Sequence, residues 1–294
     1  MRNDINEIIQ IDSKRLSVFS PGKINLFLKV KGKRPDGYHE IVTLMCCIGL
    51  ADKVFLTFGV EDISVSCIHP KVPEDLTNLA CRAAELFFHR FCKNEAVKIV
   101  IDKQVPVAAG LGGGSSNAAA VLLGLNYYYG YPFSIEELMN MGFSIGADVP
   151  FFILKKPSIA TGAGEKLQIY KGLSLFNVVL IYPGFTLSTA YVYKNLNLGL
   201  TKCKKINIQE NFKAGNFNVK QHLCNDLEVF ASSKYPGINE AKEVLIKLGA
   251  NGSLMSGSGS VVFGLFSNFK KAQRAYNFLL QNKKEWLCYL TDMI

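Results

Sequence analysis

The sequence has little of the chemistry that marks several large functional classes. Its 294 residues include only four histidines, and no two of them have the spacing of zinc ligands. No Gly-Lys-Ser or Gly-Lys-Thr occurs, which excludes a Walker phosphate loop. No apolar run reaches the roughly 18 residues of a membrane-spanning helix. We therefore expect neither a zinc enzyme nor a membrane protein.

Cysteines are present without the pattern of a disulfide framework. Eight occur in the chain, Cys46 and Cys47 are adjacent in an apolar segment, and no Cys-x-x-Cys is found. In a chain of this size, that pattern predicts reduced and mostly buried thiols. The first sixteen residues lack the apolar core of a signal peptide, so we expect a cytoplasmic protein.

The net charge is +9, from 33 Lys and Arg against 24 Asp and Glu. This excess fits a basic solvated surface, the attraction of polyanionic small substrates, or nucleic-acid binding. The basic residues form no dense run with interleaved aromatics, so we expect small-molecule partners and no nucleic acid. The sequence does not decide the oligomeric state, for which a monomer or weak homodimer is expected.

Strand and helix patterns are mixed rather than strictly alternating, which predicts an α+β fold. The length favours two domains, placed at 1–173 and 174–294. Strands are predicted over 16–32 with a break at Pro21–Gly22, over the separate runs IVTLMCCIGL and KVFLTF, and over 97–103, 151–154 and 177–183. Helices are predicted over 76–91, after the Gly-rich loop, from Ser134 with a capping box to Glu137, and over 237–248 and 269–282.

The most informative segment is VPVAAGLGGGSSNAAAVLLGLN, residues 105–126. Gly110, Gly112, Gly113 and Gly114 lie within five positions, and Ser115, Ser116 and Asn117 precede an Ala- and Leu-rich run. A Gly-rich loop that opens a helix presents backbone N–H groups to an anion. It is no dinucleotide fingerprint, because Ser115 replaces the third glycine, and a plain tight turn is the alternative. We predict that this loop holds the phosphates of a nucleotide.

Two charged residues stand in unusual positions. Lys23 follows Ser-Pro-Gly within an apolar strand, and alternation places Asn25 on the same face. The alternative is a surface lysine at a strand end. Asp148, in Gly-Ala-Asp-Val-Pro, is either a helix cap or a positioned base, and the local sequence leaves the two equal.

Two further segments are candidates for ligand contact. Tyr38 and His39 follow the Pro-Asp-Gly turn, where aromatic rings either stack on a planar ligand or form a partly buried turn. A second Gly-rich run, Ser256–Ser260, either binds a phosphate-rich ligand or connects a simple hairpin.

Three motifs together identify a resemblance. SPGKINLFL, PVAAGLGGGSSNAA and SGSGSVVF resemble the three motifs of the GHMP kinases. GKINLFLKVKGKRPDGYHEI, GLGGGSSNAA and IGADVPFF resemble, more narrowly, the members that phosphorylate a cytidine diphosphate-linked methylerythritol. The resemblance covers about residues 16–283, and the first fifteen residues look like an extension without a matching role.

The resemblance implies a two-domain GHMP-kinase-like fold with its active site in the inter-domain cleft. It implies transfer of the γ-phosphoryl group of ATP, with Mg²⁺, to the 2-hydroxyl of the acceptor on the non-mevalonate route to isoprenoids. Lys23 and Asp148 fall on the catalytic pair. Positions falling on the ATP site are Pro106, Val107, Ala108, Ala109, Gly110, Leu111, Gly112, Gly113, Gly114, Ser115, Ser116 and Asn78. Positions falling on the acceptor site are Asn25, Tyr38, His39, Thr189 and Tyr193. No metal ligand is identified, although Ser115 or Ser116 suits Mg²⁺.

Two other functions compete with this one. A GHMP kinase that acts on mevalonate or homoserine would share the phosphate loop. A basic RNA-binding protein is the candidate from another class, because the amino-terminal half of the fold resembles a domain of RNA-associated proteins. A binding module would not need Lys23, Asp148 and both Gly-rich loops together.

Overall fold

The computed structural model of the chain describes residues 8–197, 199, 203 and 217–294. These residues form two compact units, each discontinuous in sequence. Unit 1 contains Met1–Gly22, Ala51–Val107 and Gly112–Lys155, and unit 2 contains Lys23–Leu50, Ala108–Leu111 and Lys156–Ile294. The domain ranges 1–173 and 174–294 stay a prediction.

The strands of unit 1 include two that continue into unit 2. They are β1 (Ile8–Asp12), the first residues of β2 (Arg15–Lys33), the last residues of β3 (His39–Phe58), β4 (Ser64–Cys67) and β5 (Val97–Asp102). β1 is antiparallel to β2, and β5 is antiparallel to β3 and parallel to β4. β1 gives the N-terminal extension a structural role, while residues 1–7 lie outside the described part of the chain.

The helices of unit 1 are α1 (Leu79–Phe91), α2 (Gly113–Tyr128), α3 (Ile135–Ile145) and α4 (Val149–Leu154). The capping box of α3 is confirmed, because Ser134 and Glu137 each accept a hydrogen bond from the other's backbone. α1 begins three residues later than predicted because Asn78 Oδ1 accepts a hydrogen bond from the Ala80 N–H and caps the helix.

The strand predicted over 151–154 is wrong, because these residues form α4. Val149, Pro150, Phe151, Phe152 and Ile153 are all buried. When every residue of a short run is apolar, the sequence pattern has no periodicity and does not distinguish a buried strand from a buried helix. Pro150 is compatible with the helix because it lies in the first turn, where no intrahelical N–H bond is lost.

Two predicted strand boundaries are also wrong. β2 is continuous through Pro21, and β1 pairs with β2 only as far as Val18, so β1 needs no N–H from the proline. The two runs predicted as separate strands join in β3 because Asp52 between them is buried and fully bonded. A buried polar group with partners does not interrupt a strand.

Unit 2 continues β2 and β3 and adds the other strands and helices of the described chain. The strands are β6 (Ser158–Gly162), β7 (Lys166–Ile169), β8 (Asn177–Tyr182), β9 (Cys224–Asn225), β10 (Gly252–Met255), β11 (Val262–Phe266) and β12 (Leu287–Asp292). The helices are α5 (Thr189–Lys194), α6 (Val219–His222), α7 (Asp226–Lys234), α8 (Gly237–Lys247) and α9 (Phe269–Asn282). β10, β11, β8 and β12 form an antiparallel sheet in that order. Among described residues, no helix has the length and apolar character that crossing a bilayer requires.

The expectation that all cysteines are reduced is wrong for one pair. Cys203 and Cys224 form a disulfide, although 21 positions separate them in sequence. Their Cα atoms lie 5.8 Å apart, within the range that a disulfide spans, and only the fold brings them together. Cys46, Cys47, Cys67 and Cys81 are reduced and buried, as predicted.

Candidate active site

The Gly-rich loop contains backbone that only glycine tolerates. Gly110 has a φ of +81°, and a Cβ there would lie 2.1 Å from the Ser256 carbonyl oxygen. The Ser256 hydroxyl donates to the Gly110 carbonyl over 3.0 Å, and Val261 N–H donates to the Ala109 carbonyl. The close neighbour at Gly110 is therefore the second Gly-rich run, so this glycine is required by packing within the protein.

The N-terminus of α2 has no side-chain cap. Its N-cap is Gly112, with a φ of +72°, so no side chain caps the amides of the first turn. Such amides, together with the helix dipole, favour an anion. Ser116 is buried and accepts a hydrogen bond from Ser20 over 2.9 Å. Ser115, which is half-buried, is thus the better placed of the two hydroxyls for a phosphate or Mg²⁺.

Lys23 is buried in β2, so the alternative of a surface lysine is wrong. Its side chain is 4% exposed, and Nζ donates to Asn25 Oδ1 over 2.5 Å. Asn25 Nδ2 in turn donates to Thr43 Oγ1 over 2.8 Å, and the Thr43 hydroxyl donates to the Phe27 carbonyl. This chain of bonds confirms that Lys23 and Asn25 share one face and fixes the lysine's direction.

Asp148 occupies the N-cap position of α4 but does not act as a cap. Its backbone is helical and its side chain makes no capping hydrogen bond. A Cβ at Gly146 would lie 3.7 Å from Ser115 Oγ, so the turn that carries Asp148 packs against the first turn of α2. Within unit 1, the turn that carries Asp148 and the uncapped start of α2 are therefore in contact.

The aromatic residues predicted to contact the acceptor are partly brought together. The rings of His39 and Tyr193 lie 4.8 Å apart between centroids, tilted by 35°. Burial, and to a smaller extent the charge of Lys33, lowers the pKa of His39. Tyr38 is 56% exposed and makes no ring contact among the described residues. A neutral His39 beside Tyr193 is suited to stack on a planar base.

The second Gly-rich run connects the hairpin of β10 and β11, so the hairpin interpretation of its backbone is confirmed. It also contacts three predicted site residues. Ser258 Oγ lies 2.9 Å from Thr189 Oγ1. A Cβ at Gly257 would lie 3.3 Å from both Lys23 Nζ and Asn25 Oδ1. The run therefore belongs to the site that Lys23 defines.

Comparison with known proteins matches both halves of the chain to one family. Residues 78–156 match the GHMP kinases N terminal domain, and residues 208–285 match the GHMP kinases C terminal domain. A 4-diphosphocytidyl-2-C-methyl-D-erythritol kinase of Syntrophotalea carbinolica is 44% identical over 95% of this chain and 99% of its own length. The kinase of that name from Acetivibrio thermocellus is 41% identical over 95% and 99%.

The chain belongs to the 4-diphosphocytidyl-2-C-methyl-D-erythritol kinases. A crystal structure of a 4-(cytidine 5'-diphospho)-2C-methyl-D-erythritol kinase has a TM-score of 0.77 at 33% identity and covers 94% of this chain and 98% of its own. A homoserine kinase of Cytophaga hutchinsonii has a TM-score of 0.76 at 14% identity, covering 97% and 96%. At that identity the second match supports the GHMP kinase fold alone. The α+β, GHMP-kinase-like fold predicted from the motifs is confirmed.

Asn78 has a structural task in this member of the 4-diphosphocytidyl-2-C-methyl-D-erythritol kinases. Besides capping α1, it donates from Nδ2 to the Pro73 carbonyl over 2.7 Å, and it is buried. Both ends of the amide are engaged within the protein. Its contact with adenine stays a prediction.

A buried ion pair in unit 1, between Lys103 and Asp52, was not predicted from the sequence. Lys103 Nζ lies 2.5 Å from Asp52 Oδ2, and Asp52 also accepts from Asn117 Nδ2 and from the backbone N–H groups of Gln104 and Val105. A Cβ at Gly113 would lie 2.8 Å from Lys103 Nζ, so a glycine at this position leaves room for the lysine ammonium. The available signal was the sequence Lys-Gln-Val-Pro directly before the loop.

One group of potential metal ligands was found among the described residues: Cys203, Cys224 and Asp226. The two sulfurs are bonded to each other, and the carboxylate accepts from the N–H groups of Val30 and Cys203. This donor set does not suit a metal ion.

Proposed function

We propose that this protein transfers the γ-phosphoryl group of ATP to the 2-hydroxyl of 4-diphosphocytidyl-2-C-methyl-D-erythritol. The observation that carries the proposal is identity of 40–44% with kinases of that name over about nine-tenths or more of both chains. The reaction belongs to the non-mevalonate route of isoprenoid precursor synthesis. We propose a cytoplasmic enzyme that acts as a monomer or weak homodimer on these two small substrates.

The donor binds through backbone more than through charged side chains. The loop from Pro106 to Ser116 and the uncapped start of α2 hold the β-phosphate, where helix amides and dipole favour negative charge. Ser115 would hold Mg²⁺, which would supply neutralisation of the phosphate charge. Asn78 contributes to the adenine site. Phosphoryl transfer needs alignment and charge neutralisation rather than covalent catalysis.

The acceptor is activated by Asp148 and Lys23. Asp148 accepts the proton of the 2-hydroxyl as the oxygen attacks the γ-phosphorus. The Lys23 ammonium stabilises negative charge on that oxygen. Asn25 holds the lysine and contacts the substrate.

The cytidine is held by Tyr38, His39 and Tyr193, with Thr189 near the diphosphate. The adjacent rings of His39 and Tyr193 support this assignment. Stacking of a base on an aromatic ring contributes about 1–3 kcal/mol in other proteins. A neutral imidazole also avoids placing a desolvated charge against the base.

A panel of acceptors tests the proposal. ADP release is measured with ATP and, in turn, the cytidylated methylerythritol, mevalonate and homoserine. We expect turnover with the first and less than about one-hundredth of that kcat/KM with the others, because the base site supplies a few kcal/mol of selectivity. Equal turnover of mevalonate or homoserine would contradict the substrate. No ADP release with any acceptor, together with RNA binding that falls steeply with salt, would favour the binding-protein alternative.

A further inference from the structure

The segment Asn225–Glu228, at the start of α7, carries three buried polar side chains that the proposed reaction does not use. Asn225, Asp226 and Glu228 are each less than one-tenth exposed. Burying polar groups costs free energy unless each finds a partner. The partners of these three side chains therefore indicate what the segment does.

Two of the three side chains hold the second Gly-rich run or Met255, the residue directly before it. Asn225 Nδ2 donates to the carbonyls of Met255, over 2.9 Å, and Gly257, over 2.7 Å. Glu228 Oε2 accepts from the Met255 N–H over 2.8 Å. Both backbone groups of Met255 and the carbonyl of Gly257 are thus fixed by one helix start. Asn225 Oδ1 separately caps α7 by accepting from the Leu227 N–H.

The third side chain holds the strand that carries Lys23. Asp226 Oδ2 accepts from the Val30 N–H of β2 over 2.9 Å, and β9 pairs in parallel with Phe27 and Leu28 of the same strand. The same short segment therefore hydrogen-bonds both to β2 and to the second Gly-rich run. Since a Cβ at Gly257 would lie 3.3 Å from Lys23 Nζ, the position of Gly257 sets the space around the ammonium.

We propose that Asn225 is a positioning residue for Lys23, acting through the Gly257 carbonyl. By anchoring Gly257, the Asn225 amide keeps the loop packed against the Lys23–Asn25 pair and holds the ammonium where the acceptor oxygen reacts. This inference rests on the proposed function. Small misplacements of a reacting group lower the rate of the chemical step without a matching loss of substrate binding.

The test replaces Asn225 with serine in the full chain. Asn225→Ser keeps an N-cap oxygen for α7 but loses the amide that reaches the two carbonyls. Asn268→Ser is the matched control, because Asn268 caps α9 by accepting from the Lys271 N–H and contacts no site residue. We expect kcat to fall about 10- to 100-fold in Asn225→Ser, with the KM for ATP within about twofold of the wild type. We expect the control to stay within about twofold in both.

Asn225→Asp supplies a second measurement if the serine variant does not fold. It keeps the cap oxygen and the side-chain size but turns a carboxylate toward two carbonyls, so we expect a further fall in kcat. A wild-type kcat in Asn225→Ser would overturn the inference. It would also be overturned if the loss of kcat were fully explained by the fraction of the variant protein that is unfolded. If the wild type does not phosphorylate the cytidylated acceptor, the proposed function fails. Amide hydrogen exchange at 257–260, which is expected to rise in Asn225→Ser but not in the control, then decides the inference separately.

Discussion

We propose that Lys23 and Asp148 are the catalytic pair, and the two stand in different local structures. Lys23 is buried and directed by a chain of hydrogen bonds through Asn25 and Thr43. Asp148 stands at a helix start yet leaves the capping bond unmade. The burial of Lys23 and its hydrogen bond to Asn25 support the proposed catalytic role of this pair.

Removing either group is expected to lower turnover with little change in stability. Lys23→Ala and Asp148→Asn should each lower kcat by about 10²- to 10⁴-fold, the usual contribution of a positioned acid or base or of an electrostatic stabiliser. Steady-state kinetics and thermal unfolding measure the two effects. Lys31→Ala, exposed on the same strand, is the matched control and should keep wild-type kcat. Near-normal turnover in both site variants would end the mechanistic assignment.

His39 makes acceptor binding depend on pH in a defined direction. Because burial lowers its pKa, His39 stays neutral as the pH falls through its usual value near 6.5 and gains a proton only below it. As the pH falls, the unfolded chain binds a proton at His39 before the folded protein does, which favours unfolding. The contribution of neutral His39 to the free energy of unfolding is therefore complete above pH about 6.5 and is lost as the pH falls through the lowered pKa. We expect the KM for the cytidylated acceptor to be flat from pH 8 to about 6.5 and to rise below.

His39→Asn is the control for this pH profile. It should raise the KM for the cytidylated acceptor more than the KM for ATP, and it should remove the rise at low pH. If the KM for the acceptor still rises at low pH in His39→Asn, that rise belongs to the titration of another group. Equal effects on the two KM values would place His39 outside the base site.

At the level of loops and helices, the two Gly-rich segments are one structural element. Ala108–Leu111 and Ser256–Ser260 share backbone contacts close enough that Gly110 has no space for a Cβ. The phosphate loop is therefore supported by a segment about 150 positions away in sequence. Its shape depends on tertiary packing as much as on its own glycines.

Gly110→Ala tests that dependence. A residue with a Cβ at positive φ costs about 1–2 kcal/mol in itself, and the 2.1 Å approach to the Ser256 carbonyl adds overpacking of about 1–3 kcal/mol. Gly249→Ala is the matched control, because Gly249 has a φ of +94° and nothing within 4 Å of its Cβ position. Urea unfolding should show a larger loss for Gly110→Ala, together with a raised KM for ATP. Equal losses of unfolding free energy in the two variants would mean that the Ser256 carbonyl moves away from the added Cβ at no free-energy cost.

The sequence predicted those elements whose periodicity or caps are local. The α3 capping box, the strand β5 and the helix α9 were predicted from neighbouring residues. α4 was missed because a wholly buried run carries no period, and the Asp52–Lys103 pair because 51 positions separate its members. In the site, the motifs indicated Lys23, Asn25 and the Gly-rich loop, whereas Asn225 was not predicted because its partners, Met255 and Gly257, lie about 30 positions away.

Across the whole chain, sequence and fold agree on a kinase of small molecules. Relatives of one name match nearly its full length, and the GHMP kinase fold extends over residues of both units. The fold is shared with kinases of other acceptors, such as a mevalonate kinase of Methanococcus jannaschii at 15% identity and a TM-score of 0.68. Acceptor choice therefore depends on individual site residues rather than on architecture.

The identity of the phosphorylated product tests this account most directly. The protein is incubated with ATP, Mg²⁺ and 4-diphosphocytidyl-2-C-methyl-D-erythritol, and the product is examined by mass spectrometry and ³¹P NMR. We expect one added phosphoryl group, attached at the 2-hydroxyl, with one ADP formed for each product. An unchanged acceptor, or a phosphoryl group on another hydroxyl, would contradict it.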